Sequence, residues 1–365
     1  VDKNIIRCGL DDSRNGDFEG FRFNNPALNE IFDIPDTCLP ENSRFNYMLL
    51  QGQEETVSDR VILLFHGLNE KAWDKYLVWG STLQRLTGCA VLFFPITFHM
   101  NRTPAAWSNS RLMNLVSQEK KVLFPQLECS SFANAAISMR LLLKPQRFFF
   151  SGFQTYYDIM RLIRQIRSGS EPGISASAHF DIFSYSIGAF LSEILLFSNT
   201  CGYLEDSKLC IFCGGSTTDG FQPVTKTIMD SMTFEVFSGF YAGNFDEEIC
   251  RNRIMRKFYE HPLPEALYFQ SLMNYDRHRE FREKRIRQCA DRILAIPLGQ
   301  DSVIPPEAVQ KTLTGRENNI PVSVETMDFP YKYTHEVPFP VSAKLSAEVD
   351  HSFDSVFETA AGFFV

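Results

Sequence analysis

Short apolar runs standing far apart in the chain constrain its fold more than any other feature. RVILLF (60–65), CAVLFFPITF (89–98), KLCIFCGG (208–215) and RILAIPLG (292–299) are rich in β-branched and aromatic residues and lack the alternation of a half-exposed strand. FNYMLLQ (45–51), FDIF (180–183) and VSVETMDF (322–329) complete the expected strands. Between them lie segments of helical spacing. DKYLVWGSTLQRLTG (74–88) stops at Gly88, QTYYDIMRLIRQIRSG (154–169) sets Ile159, Ile163 and Ile166 on one stripe, and 346–364 is helical by the same criterion. Apolar strands separated by helices predict a mostly parallel α/β sheet with helices on both faces.

The expected division is an N-terminal segment with the first strands over 1–60, an α/β core over 61–216 and 291–365, and a helical cap inserted over 217–290. The stretch from about 100 to 152, rich in Asn, Ser, Arg and Phe, reads as irregular.

Bulk properties narrow the partners. With 36 Lys and Arg against 44 Asp and Glu the net charge is −8, which argues against nucleic acid or an anionic membrane surface. RHREFREKRIR (277–287) is basic, but Glu280 and Glu283 interrupt it, so a solvated helix face is expected. Nine cysteines, an odd number without metal-ligand spacing, read as free thiols, which favours a reducing compartment and hence a cytoplasmic location. No run reaches the roughly 18–20 apolar residues of a membrane span. The first residue is Val, which leaves room for a removed leader. No metal or organic cofactor is implied, and the oligomeric state is open.

Ligand sites in parallel sheets lie at the carboxyl ends of the strands. After RVILLF comes His66-Gly67-Leu68-Asn69, and after FDIF comes Ser184-Tyr185-Ser186-Ile187-Gly188. After RILAIPL comes Gly299-Gln300-Asp301, and after VSVETMDF come Pro330 and His335. A backbone-donor turn, a serine, an aspartate and a histidine thus follow four strands. That order resembles the α/β-hydrolase superfamily, over roughly residues 45–365. HGLNEKAWDKY and FPITFHMNRTPAAWSNSR resemble a bacterial branch of it, which implies the fold and no particular substrate. One departure is Ser184, which stands where the superfamily's elbow usually has Gly.

The chemistry explains the residue types. A serine hydroxyl needs an adjacent base to become a nucleophile. It must project from a sharp turn, so the residues two before and two after, Ser184 and Gly188, must be small. The helix that follows offers free N–H groups to a developing oxyanion. Ser186 is therefore the expected nucleophile, with Ile187 and Leu68 as oxyanion donors. The superfamily's acid-bearing turn often reads Gly-x-Asp followed by Pro, and Gly299, Asp301 and Pro305 match it. Asp301 is the preferred acid, Asp219 the rival. His335, in a loop between Pro330 and Pro338, is preferred as base over His351, which sits in the terminal helical pattern.

His66, Asn69, Tyr185 and His99 stand beside these strand ends and are candidate substrate contacts. Arg102 and Arg111, in a loop past a strand end, are candidates for holding a substrate carboxylate. Phe234, Phe237, Phe240 and Tyr241 of the expected cap are candidates for an apolar pocket wall. Together these features imply a carboxylesterase-like serine hydrolase acting on an ester, thioester or amide of a small molecule. A non-catalytic binding module of the same fold, or an acyltransferase or lyase using the same site, are the alternatives.

Overall fold

The computed structural model describes residues 21–52, 57–243, 245–251, 253–260 and 263–365. Seven strands form one sheet: β1 (Met48–Leu50), β2 (Ser58–Phe65), β3 (Ala90–Phe93), β4 (Ile174–Tyr185), β5 (Leu209–Phe212), β6 (Ile293–Ile296) and β7 (Ser323–Val324). Their order is β1-β3-β2-β4-β5-β6-β7. β1 pairs antiparallel with β3, and every other pairing is parallel.

The unbroken apolar character of β2 now has its cause. Val61, Leu63 and Phe65 enter the core on one face of the sheet, while Ile62 and Leu64 enter the core on the other. Each such side chain contributes about 1.5–3 kcal/mol when fully buried. Helices α1 (Asp74–Thr87) and α10 (Ser346–Phe364) cover the second face through Tyr76, Trp79, Val356 and Phe357. Gly88, at φ 70°, closes α1 in the left-handed conformation. On the first face lie α4 (Arg147–Arg167) and α5 (Ile187–Ser198).

The stretch expected to be irregular is mostly helical. α2 (Ser110–Leu123) and α3 (Ala135–Leu143) precede α4, which begins seven residues before the segment with clear periodicity. Residues Phe23, Leu28, Phe32 and Leu39 of the N-terminal segment pack against Trp107, Met113, Val116 and Met139 of this region, away from the sheet. Long apolar strings such as AAISMRLLL hid the period, because a helix buried all round has no polar face to reveal it.

Between β5 and β6 stand α6 (Ser231–Ser238), a π-helical turn (Gly239–Gly243), two short helices (Phe245–Arg251 and Arg253–Glu260), α7 (Pro264–Met273) and α8 (Arg279–Gln288). Asp230 caps α6 and ties it to the earlier helices: Lys120 Nζ lies 2.7 Å from its Oδ2, both groups buried. The basic run in α8 is a solvated face only in part: Lys284 and Arg287 are exposed, whereas Arg282 and Arg285 are engaged by the protein. Arg282 is fully buried and donates to the Tyr275 carbonyl at 2.6 Å. Arg285 donates to the Phe197 and Leu196 carbonyls at 2.9 and 3.1 Å, satisfying the last turn of α5. α9 (Pro306–Thr314) follows β6.

This sheet order, with an antiparallel first strand and a sharp turn from β4 into α5, is the α/β-hydrolase fold. No helix among the described residues is long and apolar enough to cross a membrane.

Candidate active site

The strand ends converge as their order predicts. Ser186 alone separates β4 from α5, at φ 56° and ψ −124°. A non-glycine residue rarely takes a positive φ, and a strained corner of this kind is found at functional sites. The crowding around it explains its small neighbours. A Cβ on Gly188 would stand 2.8 Å from the Phe65 carbonyl oxygen and 2.9 Å from that of His66. A Cβ on Gly67 would stand 3.0 Å from the Tyr185 ring and 3.5 Å from Ser186 Cβ. The His66-Gly67 turn is therefore pressed against the corner that carries Ser186.

Ser186, His335 and Asp301 form one hydrogen-bonded chain. The Ser186 hydroxyl lies 2.7 Å from His335 Nε2, and His335 Nδ1 lies 2.7 Å from Asp301 Oδ2. An ionised carboxylate only accepts, so Nδ1 carries the imidazole proton and Nε2 is free to accept from the serine. Asp301 Oδ1 meanwhile accepts the Val303 and Ile304 N–H groups at 2.8 and 2.9 Å. One oxygen builds the turn and the other holds the histidine. All three residues are buried.

The rival groups stand elsewhere. Both oxygens of Asp219 accept the Tyr275 N–H at 3.1 Å, and His351 is exposed on α10.

The N–H groups of Leu68 and Ile187 have no acceptor among the described residues, whereas the Gly67 N–H donates to the Tyr76 hydroxyl at 2.9 Å. Tyr76 donates onward to Glu70 at 2.8 Å, and Glu70 pairs with Lys75. This polar chain fixes the turn so that Leu68 offers the next free donor.

Four of the expected substrate contacts are corrected. His66 is fully buried and has both nitrogens committed: Nδ1 to the Gly67 carbonyl at 2.8 Å, and Nε2 accepting the Ile96 N–H at 2.9 Å. Burial, with the nearby charges of Lys75 and Arg102, holds its imidazole well below its usual titration range. Tyr185 gives its hydroxyl proton to the His335 carbonyl, so it positions the histidine. Arg102 is wholly buried and engaged by Asn42, the Pro95 carbonyl and Asp158, the last at 2.8 Å. Arg111 is exposed in the first turn of α2.

Asn69 and His99 line a small cavity near the site that is partly open to solvent. The Asn69 amide donates to the Ala133 and Thr227 carbonyls at 2.8 and 2.6 Å. A second, adjoining small cavity shares Leu68, His99, Phe148 and Ser151 with the first and reaches Ile187. Phe269, from α7 between β5 and β6, forms part of its wall, while Phe237 and Tyr241 pack on Phe148. Arg140 and Arg147, which line the first cavity, were not anticipated. Their signal was a lone cation inside each of two apolar strings, SMRLLL and QRFFF, where a charge needs a specific partner. Among the described residues no group of three His, Cys, Asp or Glu side chains is placed to hold a metal ion.

The model of the family described as "Family of unknown function (DUF6051)" matches residues 8–365. The chain belongs to this family. No curated protein matches it. Among solved structures, carboxyl esterase 2 from the mycorrhizal fungus Tuber melanosporum is similar at 10% identity and a TM-score of 0.43, over 87% of this DUF6051 chain and 82% of the esterase. A thermostable esterase from Pseudomonas putida is similar at 11% identity and a TM-score of 0.44, over 87% and 79% of the two chains. The monoacylglycerol lipase of Paleococcus ferrophilus is similar at 11% identity and a TM-score of 0.41, over 88% and 99%. In this DUF6051 chain, as the sheet order and the corner at Ser186 show, the α/β-hydrolase fold runs from β1 to α10.

Proposed function

We propose that this protein is a serine hydrolase, esterase-like in mechanism, acting on an ester, thioester or amide of a small molecule. The observation that carries the reading is the unbroken chain from Ser186 Oγ through His335 to Asp301, with both links at 2.7 Å. His335 Nε2 accepts the serine proton as Ser186 Oγ attacks the substrate carbonyl carbon. The tetrahedral oxyanion takes the Leu68 and Ile187 N–H groups, assisted by the N-terminal end of α5. His335 then returns the proton to the leaving group, and water repeats the sequence on the acyl-enzyme. Asp301 keeps the imidazole in the one tautomer that can accept from serine and stabilises its cationic form. The helices between β5 and β6, with α2 and α3, serve as the cap that excludes water from this chemistry.

The test is intact-mass labelling with a fluorophosphonate, which reports an activated serine without knowledge of the substrate. Wild type is expected to take one adduct and Ser186→Ala none. A folded wild type that stays unlabelled, or a labelled Ser186→Ala, would overturn the reading.

A further inference from the structure

The cavity that opens beside Leu68 is bordered by charges that attack at Ser186 does not require. Arg140 and Arg147, each 6% exposed, share one carboxylate. Arg140 Nη2 lies 3.0 Å from Asp36 Oδ1, and Arg147 Nε lies 2.7 Å from Asp36 Oδ2. The Arg140 guanidinium lies 4.0 Å from the Phe98 ring centre and 4.2 Å from that of Trp107. Among the described residues its Nε–H finds no acceptor.

On the same cavity wall His99, 7% exposed, donates Nδ1–H to the Thr97 carbonyl at 3.0 Å, and its Nε2 lone pair finds no donor. Lys71 reaches only the Trp107 and Ala133 carbonyls, at 3.3 and 3.0 Å. Glu70, the acid in the lining, is already paired with Lys75. Around this cavity Lys71, Lys75, Arg140 and Arg147 thus outnumber Glu70 and Asp36, on a chain whose net charge is −8.

A buried donor without an acceptor is costly, and more so when it belongs to a charged group. Surplus positive charge and an open guanidinium N–H beside an apolar channel call for one kind of ligand. We propose that the acyl group handled at Ser186 ends in a carboxylate, and that this carboxylate accepts the Arg140 Nε–H. Its aliphatic stretch packs on Phe98, Trp107, Ile137, Leu141 and Phe148. A water that donates one hydrogen to His99 Nε2 and the other to the carboxylate completes the set. The substrate class is then a half-ester or half-thioester of a dicarboxylic acid. Which end of the ligand reacts rests on the serine-hydrolase reading; the carboxylate site itself does not.

The test uses the full chain carrying Ser186→Ala, so that the ligand is not consumed. Calorimetric titration compares monomethyl glutarate, which keeps one carboxylate, with dimethyl glutarate, which has none. The monoester is expected to bind at least ~10-fold more tightly, as a charge-assisted contact in a buried site should give. Equal affinities, or no binding of the monoester at ~10 mM, would overturn the proposal. Adding Arg140→Gln should bring the two affinities within ~3-fold of each other, and an undiminished preference would overturn the role of Arg140. The comparison of the two esters needs no change at Arg140, so a variant that fails to fold leaves it decisive. Fluorophosphonate labelling of wild type reports separately on Ser186. An unlabelled serine with a clear preference for the monoester would remove the proposed function alone.

Discussion

The hydroxyl of Tyr185 donates to the backbone carbonyl of His335, and the two rings stack at 5.5 Å with 20° between their planes. The residue just before the serine therefore holds the loop that carries the histidine. Lys75 lies 4.7 Å from the Tyr185 ring centre and donates to the Glu336 carbonyl at 3.3 Å, and the Glu336 carboxylate accepts the Thr225 and Thr227 hydroxyls. A loop with little secondary structure is thereby anchored at both His335 and Glu336.

Removing that hydroxyl should loosen His335 without removing it. Tyr185→Phe keeps the stacked ring, so stability should fall by about 1 kcal/mol. The rate of fluorophosphonate labelling should fall about 10-fold, since small displacements of a reacting group are costly. Labelling at the wild-type rate would show that ring stacking alone positions His335.

Asp301→Asn separates the two duties of the aspartate. The amide oxygen still accepts from Val303 and Ile304, so the melting temperature should change by no more than ~3 °C. The wrong tautomer of His335 is favoured, and the labelling rate should fall about 10³–10⁴-fold. Asp301→Ala should in addition leave two buried N–H groups unpaired, at about 1–3 kcal/mol each. A labelling rate in Asp301→Asn within tenfold of wild type would remove Asp301 from the mechanism.

Gly188→Ala tests the close approach of α5 to β2. The added methyl meets backbone oxygens of Phe65 and His66, which no side-chain rotation can relieve. Overpacking of this kind should cost about 1–3 kcal/mol in urea unfolding, and the displaced corner should slow labelling. A variant of wild-type stability would mean that the helix shifts freely.

Glu193, buried on α5, has no hydrogen-bond partner for either oxygen among the described residues, and burial raises its carboxyl to about 8 against the nearby charge of Arg282. In the unfolded chain it titrates near ~4.3. A raised folded-state value means the fold binds the proton more tightly, so its stabilising effect is full below about pH 4.3 and is lost as pH rises to about 8. Glu193→Gln should flatten the fall in melting temperature across that window and melt higher than wild type at pH 8.5. Parallel pH profiles for the two proteins would show that Glu193 does not titrate there.

Short-range signals in the sequence determined the sheet and the placing of the candidate site residues. The apolar runs had to be strands buried on both faces, and Ser186 between a strand and a helix with Gly188 behind it had to be a sharp corner. The chain order Ser186, Asp301, His335 followed, because each lies in the segment that follows a strand. The partners of the remaining polar residues depend on contacts that sequence spacing does not encode. Asp36 reaches Arg140 across 104 positions and Arg147 across 111, Arg102 reaches Asp158 across 56, and Tyr185 meets His335 across 150. Whether an arginine or histidine is consumed in the core or left open to a ligand is decided by which distant acceptor reaches it. For that reason only the tertiary structure shows Arg102 engaged in the core and the Arg140 Nε–H left open among the described residues, with His66 bound to the Ile96 N–H and Tyr185 to the His335 carbonyl.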